Sequence, residues 1–157
     1  HSFFGGFEMG NYNRGLREQL SVVSCIDPDA YTAATYNGDV IDMQDFRRVI
    51  FILQAGDLGS SATLDYRVEG SAVVGLTSSG TVGTAATQLT QAGTDSNKQV
   101  IIEVTAEQVA ALGYRYIRDE MIVGTATSDC GSIALGQLAH YSPASEYDLA
   151  SVDEILP

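Results

Sequence analysis

Lysine occurs once, at Lys98, and tryptophan not at all. Eight basic residues stand against 20 acidic ones, a formal net charge of −12. Such a chain repels nucleic acid and anionic lipid, so neither is expected as a partner. It also lacks the aromatic-plus-basic groove that holds single strands, and a typical sugar platform. The plain use of this charge is solubility at high local concentration.

Histidine is nearly absent: His1 stands at a chain end, and His140 follows a predicted strand. General acid-base and nucleophilic mechanisms most often use this side chain, and no Ser/His/Asp set can be assembled. His140 reads as a surface or interface residue. Cys25 and Cys130 lack the close pairing of a zinc site or a Cys-x-x-Cys motif. Their spacing fits two free thiols or a single disulfide.

Acids are plentiful, but neither Asp27 with Asp29 nor Asp119 with Glu120 carries a metal or glycosidase pattern. The glycine cluster Gly80-Thr81-Val82-Gly83-Thr84 lacks the lysine of a phosphate loop. No catalytic residue, cofactor or metal is expected. No apolar run approaches the roughly 20 residues that span a bilayer. The densest, Val49-Ile50-Phe51-Ile52-Leu53, fits one buried strand. His1 to Phe7 lack the basic and continuous apolar regions of a signal peptide, so none is expected there.

What is present is a chain of 157 residues, 45% hydrophobic, enough for one domain with one core. Residues 1–15 read as an arm, whose glycines make regular structure costly and whose Phe3, Phe4 and Phe7 are poor residues to leave in water. Residues 16–141 read as a β-domain. A first strand around Val22 and Val23 is expected to stop at Asp27-Pro28-Asp29. A hairpin is expected at Asn37-Gly38-Asp39, because Asn-Gly supplies the positive φ angles of a tight turn.

Arg47 to Gln54 should be a central strand covered on both faces. Ser61 to Glu69 alternates, with Leu64, Tyr66 and Val68 on one face and Asp65, Arg67 and Glu69 on the other. After a loop-rich stretch with a short strand at Ala86 to Thr90, Gln99 to Val104 resumes as a strand. Thr105 and Gln108 can then cap a short helix ending near Gly113. Tyr114 to Thr125 and Gly131 to Tyr141 read as two more strands. The alternation does not assign faces in the strands from Arg47, Tyr114 and Gly131. The sum is an all-β fold, an antiparallel β-sandwich or jelly-roll-like barrel with one short helix and extended termini.

Residues 142–157 read as a tail. Leu149, Val152 and Leu156 fall at i, i+3 and i+7, so one helical face could dock into a groove; packing on its own domain is the alternative. The candidate interface residues are Phe3, Phe4 and Phe7 in the arm and Tyr147, Leu149, Val152, Ile155 and Leu156 in the tail.

Four segments resemble small structural proteins of tailed bacteriophages: Val40 to Arg48, Thr87 to Gly93, Asp95 to Gln99, and Tyr141 to Ser145 with Asp148 to Ile155. The likeness spans most of the chain after about residue 20 and includes no catalytic motif. It implies a virion component on the phage head, assembled in the host cytoplasm. The expected role is a decoration or cement protein that binds the major capsid protein and neighbouring copies of itself, as a homo-oligomer on the virion. A neck or tail subunit, such as a connector, is the alternative. The third class is an enzyme or host-binding module; a glycan-active protein would need a carboxylate pair in an aromatic cleft, and the sequence shows none.

Overall fold

The computed structural model describes residues 15–139 and 144–156. Phe3, Phe4, Phe7, His1 and His140 lie outside the described residues. A single helical turn, α1 (Leu16–Gln19), leads into β1 (Leu20–Tyr31), β2 (Ala34–Asn37), β3 (Ile41–Asp42), β4 (Phe46–Ala55) and β5 (Thr63–Ser71). The short strands β6 (Gly80–Thr81) and β7 (Leu89–Thr90) precede β8 (Gln99–Thr105). Helix α2 (Ala106–Ala111), β9 (Tyr116–Gly124), β10 (Ser128–Ala139) and a 3-10 turn, η1 (Ala144–Tyr147), complete the order.

The strands form two antiparallel sheets, so the fold is an all-β sandwich. Sheet A has the order β1-β10-β4-β8. Sheet B has the order β2-β9-β5-β6, with β3 also paired to β9 and β7 to β5. The core lies between them. On β4 the inward residues Val49, Phe51 and Leu53 are fully buried, and they face Leu64, Tyr66 and Val68 of β5 and Ile117, Met121 and Val123 of β9. Each such side chain contributes about 1.5–3 kcal/mol by leaving water. The two-residue period read in β5 is therefore the observed one.

Helix α2 carries the expected capping box. The Thr105 hydroxyl accepts from the Gln108 amide at 3.2 Å, and the Gln108 side chain accepts from the Thr105 amide at 2.9 Å. The helix stops at Gly113, whose φ of +75° suits glycine.

Two local readings are corrected. Asp27-Pro28-Asp29 does not end the first strand, because β1 runs through it to Tyr31. β1 is an edge strand, so the missing proline N–H costs no ladder bond, and the register against β10 shifts between Ile26 and Asp29. Asn37-Gly38-Asp39 is not a hairpin turn either. β2 and β3 both pair with β9 rather than with each other, and neither Asn37 nor Gly38 takes a positive φ. The glycine is needed for close approach: a Cβ there would lie 1.9 Å from Asp119 Oδ1.

Candidate assembly surface

The register of sheet A places its outward side chains in cross-strand rows. Val22 pairs with Leu135, Leu135 with Ile50, and Ile50 with Glu103. In the next row Cys25 pairs with Ile133, Ile133 with Ile52, and Ile52 with Ile101. Seven of these eight side chains are uncharged and mostly aliphatic, and among the described residues only the tail reaches them, at the Val22–Leu135 end. Ile101 is 63% exposed and Ile133 36%, while Val22, Ile50, Ile52 and Leu135 are half-buried.

This corrects the expectation for the Arg47–Gln54 strand. Val49, Phe51 and Leu53 do sit under sheet B, but the alternate residues Ile50 and Ile52 are covered by no other layer among the described residues. A continuous apolar run implies two apolar faces; it cannot say that both are covered within one chain.

The outer face of sheet B is built in the opposite way. Arg67 pairs with Glu120 and Arg118 with Glu69, each at 2.5 Å, across the β5–β9 register. Gln88 donates to both carboxylate oxygens of Asp65 at 2.9 and 3.1 Å. At the end of β9 the Arg115 guanidinium grips Asp42 at 2.7 and 3.0 Å, and holds its carboxyl below the ordinary value. One face of the sandwich thus carries paired charge, its arginines partly exposed and Glu69 and Glu120 buried, and the other is aliphatic.

Two depressions mark the outer side of sheet A. A groove of about 760 Å³ runs beside Cys25, Pro28, Ile52, Gln54 and Ile133. A smaller one of about 340 Å³, beside Leu20, Val22 and Leu135, is walled on its far side by Val152, Ile155 and Leu156 of the tail.

The tail is latched onto the free edge of β1. Ser21 Oγ donates to the Ala144 carbonyl, the Val22 amide donates to Asp148 Oδ1 at 2.7 Å, and the Leu149 amide donates to the Val22 carbonyl at 2.8 Å. Tyr147 stacks edge-on against the core residue Phe46, ring centres 5.1 Å apart. Residues 149–156 are not helical, so the i, i+3, i+7 spacing does not make a helical face. Bonding of Leu149 to β1 holds the chain extended there, and only a turn from Leu149 to Val152 follows. Of the tail candidates, Tyr147 faces inward, Leu149 and Val152 are half-buried, and Ile155 and Leu156 are 47% and 67% exposed.

One polar cluster escaped the sequence reading. Asp119, on β9 between Ile117 and Met121, points into the core and is completely buried. Its Oδ2 accepts from Tyr66 Oη at 2.6 Å and Ser132 Oγ at 2.5 Å, and its Oδ1 from Ser24 Oγ at 3.3 Å. Ser24 in turn accepts from the Asp39 amide at 2.8 Å. The donors come from β5 in sheet B and from β10 and β1 in sheet A, so the carboxylate ties the two sheets together. Burial, reinforced by Asp119, pushes the Tyr66 hydroxyl far above its ordinary value, which keeps it a donor. No local signal marks it, because alternation does not assign the faces of this strand.

Cys25 and Cys130 are free thiols. Burial and the neighbouring Asp27, which accepts a hydrogen bond from it, raise Cys25, and burial pushes Cys130 up to about 11. Among the described residues no group of three or more His, Cys, Asp or Glu is placed to hold a metal. No described helix is long and apolar enough to cross a membrane.

No family model and no curated protein matches the chain. Solved structures with a similar fold include the infectious bursal disease virus VP2 subviral particle, with a TM-score of 0.47 and 15% identity over 80% of this chain. The chain spans 34% of the VP2 chain. The SPBc2 prophage-derived protein YomS matches with a TM-score of 0.40 and 10% identity, over 78% of this chain and all of that one. A chain from the disulfide-linked pili of Bacillus endospore appendages matches at 0.38 and 15%, over 80% of this chain and 96% of that one. Likeness at this level describes a shared style of β-fold and carries no functional argument.

Proposed function

We propose that this protein is a virion structural subunit, a head decoration or cement protein, which binds neighbouring subunits through the outer face of sheet A. The observation that carries the binding role is the contrast between the two outer faces. Salt bridges and a bidentate amide finish sheet B, while an aliphatic surface spans all four strands of sheet A. A contiguous apolar surface of this kind on an otherwise acidic domain is what a subunit interface requires. The resemblance to tailed-phage structural proteins supplies the virion, and a cement role needs only modest contacts repeated over many sites.

The exposed Ile155 and Leu156 extend the same surface past the edge of β1. The arm residues Phe3, Phe4 and Phe7 are proposed as a second contact with the major capsid protein.

The test is binding to purified particles, read by quantitative mass spectrometry of copies per particle. Ile133→Asp, removal of residues 153–157 and removal of residues 1–12 should each lower occupancy several-fold while the free domain stays folded. The tail cut is placed after Val152, because Tyr147 and Asp148 belong to the domain's own packing. Hundreds of copies support the cement role. A copy number near six or twelve points instead to the neck or tail. Undiminished binding by all three variants rejects the assembly reading.

A further inference from the structure

We infer that the open edge of sheet A, strand β8, pairs with β8 of a second copy of this chain, antiparallel about a two-fold axis at Ile101. The contact uses the edge of the sheet rather than its outer face, and it stands or falls independently of the cement reading.

The two edges of sheet A are finished differently. On β1 the outward amides are each taken by a carboxylate: Val22 by Asp148 at 2.7 Å, Cys25 by Asp39 at 3.1 Å and Ala30 by Asp29 at 2.7 Å. The Val22 carbonyl accepts from the Leu149 amide at 2.8 Å, and the Asp27 carbonyl accepts from the Tyr31 hydroxyl. Pro28 has no N–H to offer. A strand could add to this edge only by displacing these groups.

Strand β8 is left open. The Ala55 amide donates to the Lys98 carbonyl at 2.9 Å, which with the register makes Leu53–Val100, Phe51–Ile102 and Val49–Val104 the hydrogen-bonded pairs of β4 and β8. The N–H and C=O groups of Gln99, Ile101 and Glu103 therefore point away from β4, and among the described residues none of them has a hydrogen-bond partner. Only at Thr105 is the outward amide taken, by Gln108 of the capping box. Such a row recognises another extended strand, whose own amides and carbonyls repeat at the same two-residue spacing.

Strand β8 is itself the strand that fits best. A two-fold axis at Ile101 sets Ile101 opposite its own copy and Gln99 opposite Glu103, so every open residue exchanges hydrogen bonds. An axis at Val100 would set Glu103 opposite Asn97, whose φ of +62° is not that of a strand. An axis at Ile102 would set Gln99 opposite Thr105, whose amide is occupied. Side chains agree with the axis at Ile101. The 63% exposed Ile101 meets its copy. Gln99 Nε2, which gives one hydrogen to the Asn97 carbonyl at 3.3 Å, has a second for the Glu103 carboxylate, whose Oε1 is held by Arg48 at 3.0 Å. Because β1 is closed, sheet A has one open edge, and its pairing stops at two copies. The contact is one strand long, so it belongs to the small, weak class of interface, with a dissociation constant of about 10–100 µM.

The test is sedimentation equilibrium of the full chain from about 5 to 500 µM, where a reversible monomer–dimer equilibrium is expected. Ile101→Pro removes the amide at the axis and, since that amide faces away from β4, costs the domain no ladder bond. It should weaken the dimer at least about 30-fold. Gln99→Glu sets like charges opposite each other on both sides of the axis and should weaken it about 5-fold; adding Glu103→Gln should restore it. Thermal melts check that each variant folds, and the Gln99 and Glu103 variants decide the matter if the proline variant does not. Ile133→Asp, on the outer face, and removal of residues 1–14 should leave the dimer intact. Amide hydrogen exchange at Gln99, Ile101 and Glu103 should slow as concentration rises, while exchange at Val22 and Cys25 stays constant.

A chain that is monomeric at 500 µM overturns the proposal, as does a dimer indifferent to both Ile101→Pro and Gln99→Glu. A dimer lost with residues 1–14 names the arm as the occupant, and one lost only on Ile133→Asp names the outer face; each result overturns the edge pairing.

Discussion

Gly38→Ala tests whether the buried Asp119 cluster holds the sandwich together. The new Cβ would sit 1.9 Å from Asp119 Oδ1 and 2.4 Å from Ser24 Oγ, so something must move. If the carboxylate retreats, it loses Ser24 and distorts the bonds at 2.5 and 2.6 Å to Ser132 and Tyr66. If instead the 37–39 segment lifts away, it loses the Gly38 amide bond to the Asp119 carbonyl at 3.0 Å and the Asp39 amide bond to Ser24 at 2.8 Å. Either route breaks or distorts two or three buried or part-buried hydrogen bonds, about 3 kcal/mol in total. For a domain of this size that lowers Tm by about 6–12 °C. Gly75→Ala is the control, since its nearest neighbour would be Thr77 Cγ2 at 3.7 Å and its φ is not positive. There alanine should stabilise by about 0.4–1 kcal/mol through the unfolded chain. The assay is calorimetry of both variants. A Gly38→Ala protein melting within about 2 °C of the parent would refute the reasoning.

Tyr66→Phe removes one donor to Asp119 and leaves a buried carboxylate oxygen short of a partner; urea denaturation should show a loss of about 1.5–3 kcal/mol. Both thiols are held protonated near neutrality, so alkylation of the native protein at pH 7.5 should be slow and accelerate as pH rises past 9. Half-buried Cys25 should react before the buried Cys130, which peptide mapping will read; equal rates would contradict the burial order. The Asp42 carboxyl is held below its ordinary 3.8 chiefly by the hydrogen bonds from Arg115. Its contribution to stability is therefore complete above about pH 4 and lost as pH falls through the lower folded value. Urea midpoints measured from pH 5 to pH 2 should fall less steeply for Asp42→Asn than for the parent.

Most of the strands were legible because their signals are local. In β5 the alternation of Leu64, Tyr66 and Val68 with Asp65 and Arg67 is a two-residue period that sterics alone impose. The capping box of α2 needs only Thr105 and Gln108. The misread segments were those whose meaning depends on a distant strand. Pro28 reads as a stop until β1 is known to be a sheet edge, and Gly38 reads as a turn until Asp119 is known to press against it. Asp119 itself looked like one acid among many. Its inward position on β9 becomes informative only when Tyr66, Ser24 and Ser132 converge on it from three other strands.

The candidate surface divides in the same way. The apolar character of both sides of Val49 to Leu53, the acidity of the chain and its β class are written in the order of its residues. Which side of β4 is covered, that Tyr147 packs inward while Ile155 and Leu156 stay exposed, and that the outward residues of four strands join into one surface all follow from how the strands assemble. Hydropathy along a strand records a side chain's aversion to water. Whether another layer of the same chain arrives to exclude that water depends on strand order and register, which are set by contacts far apart in sequence.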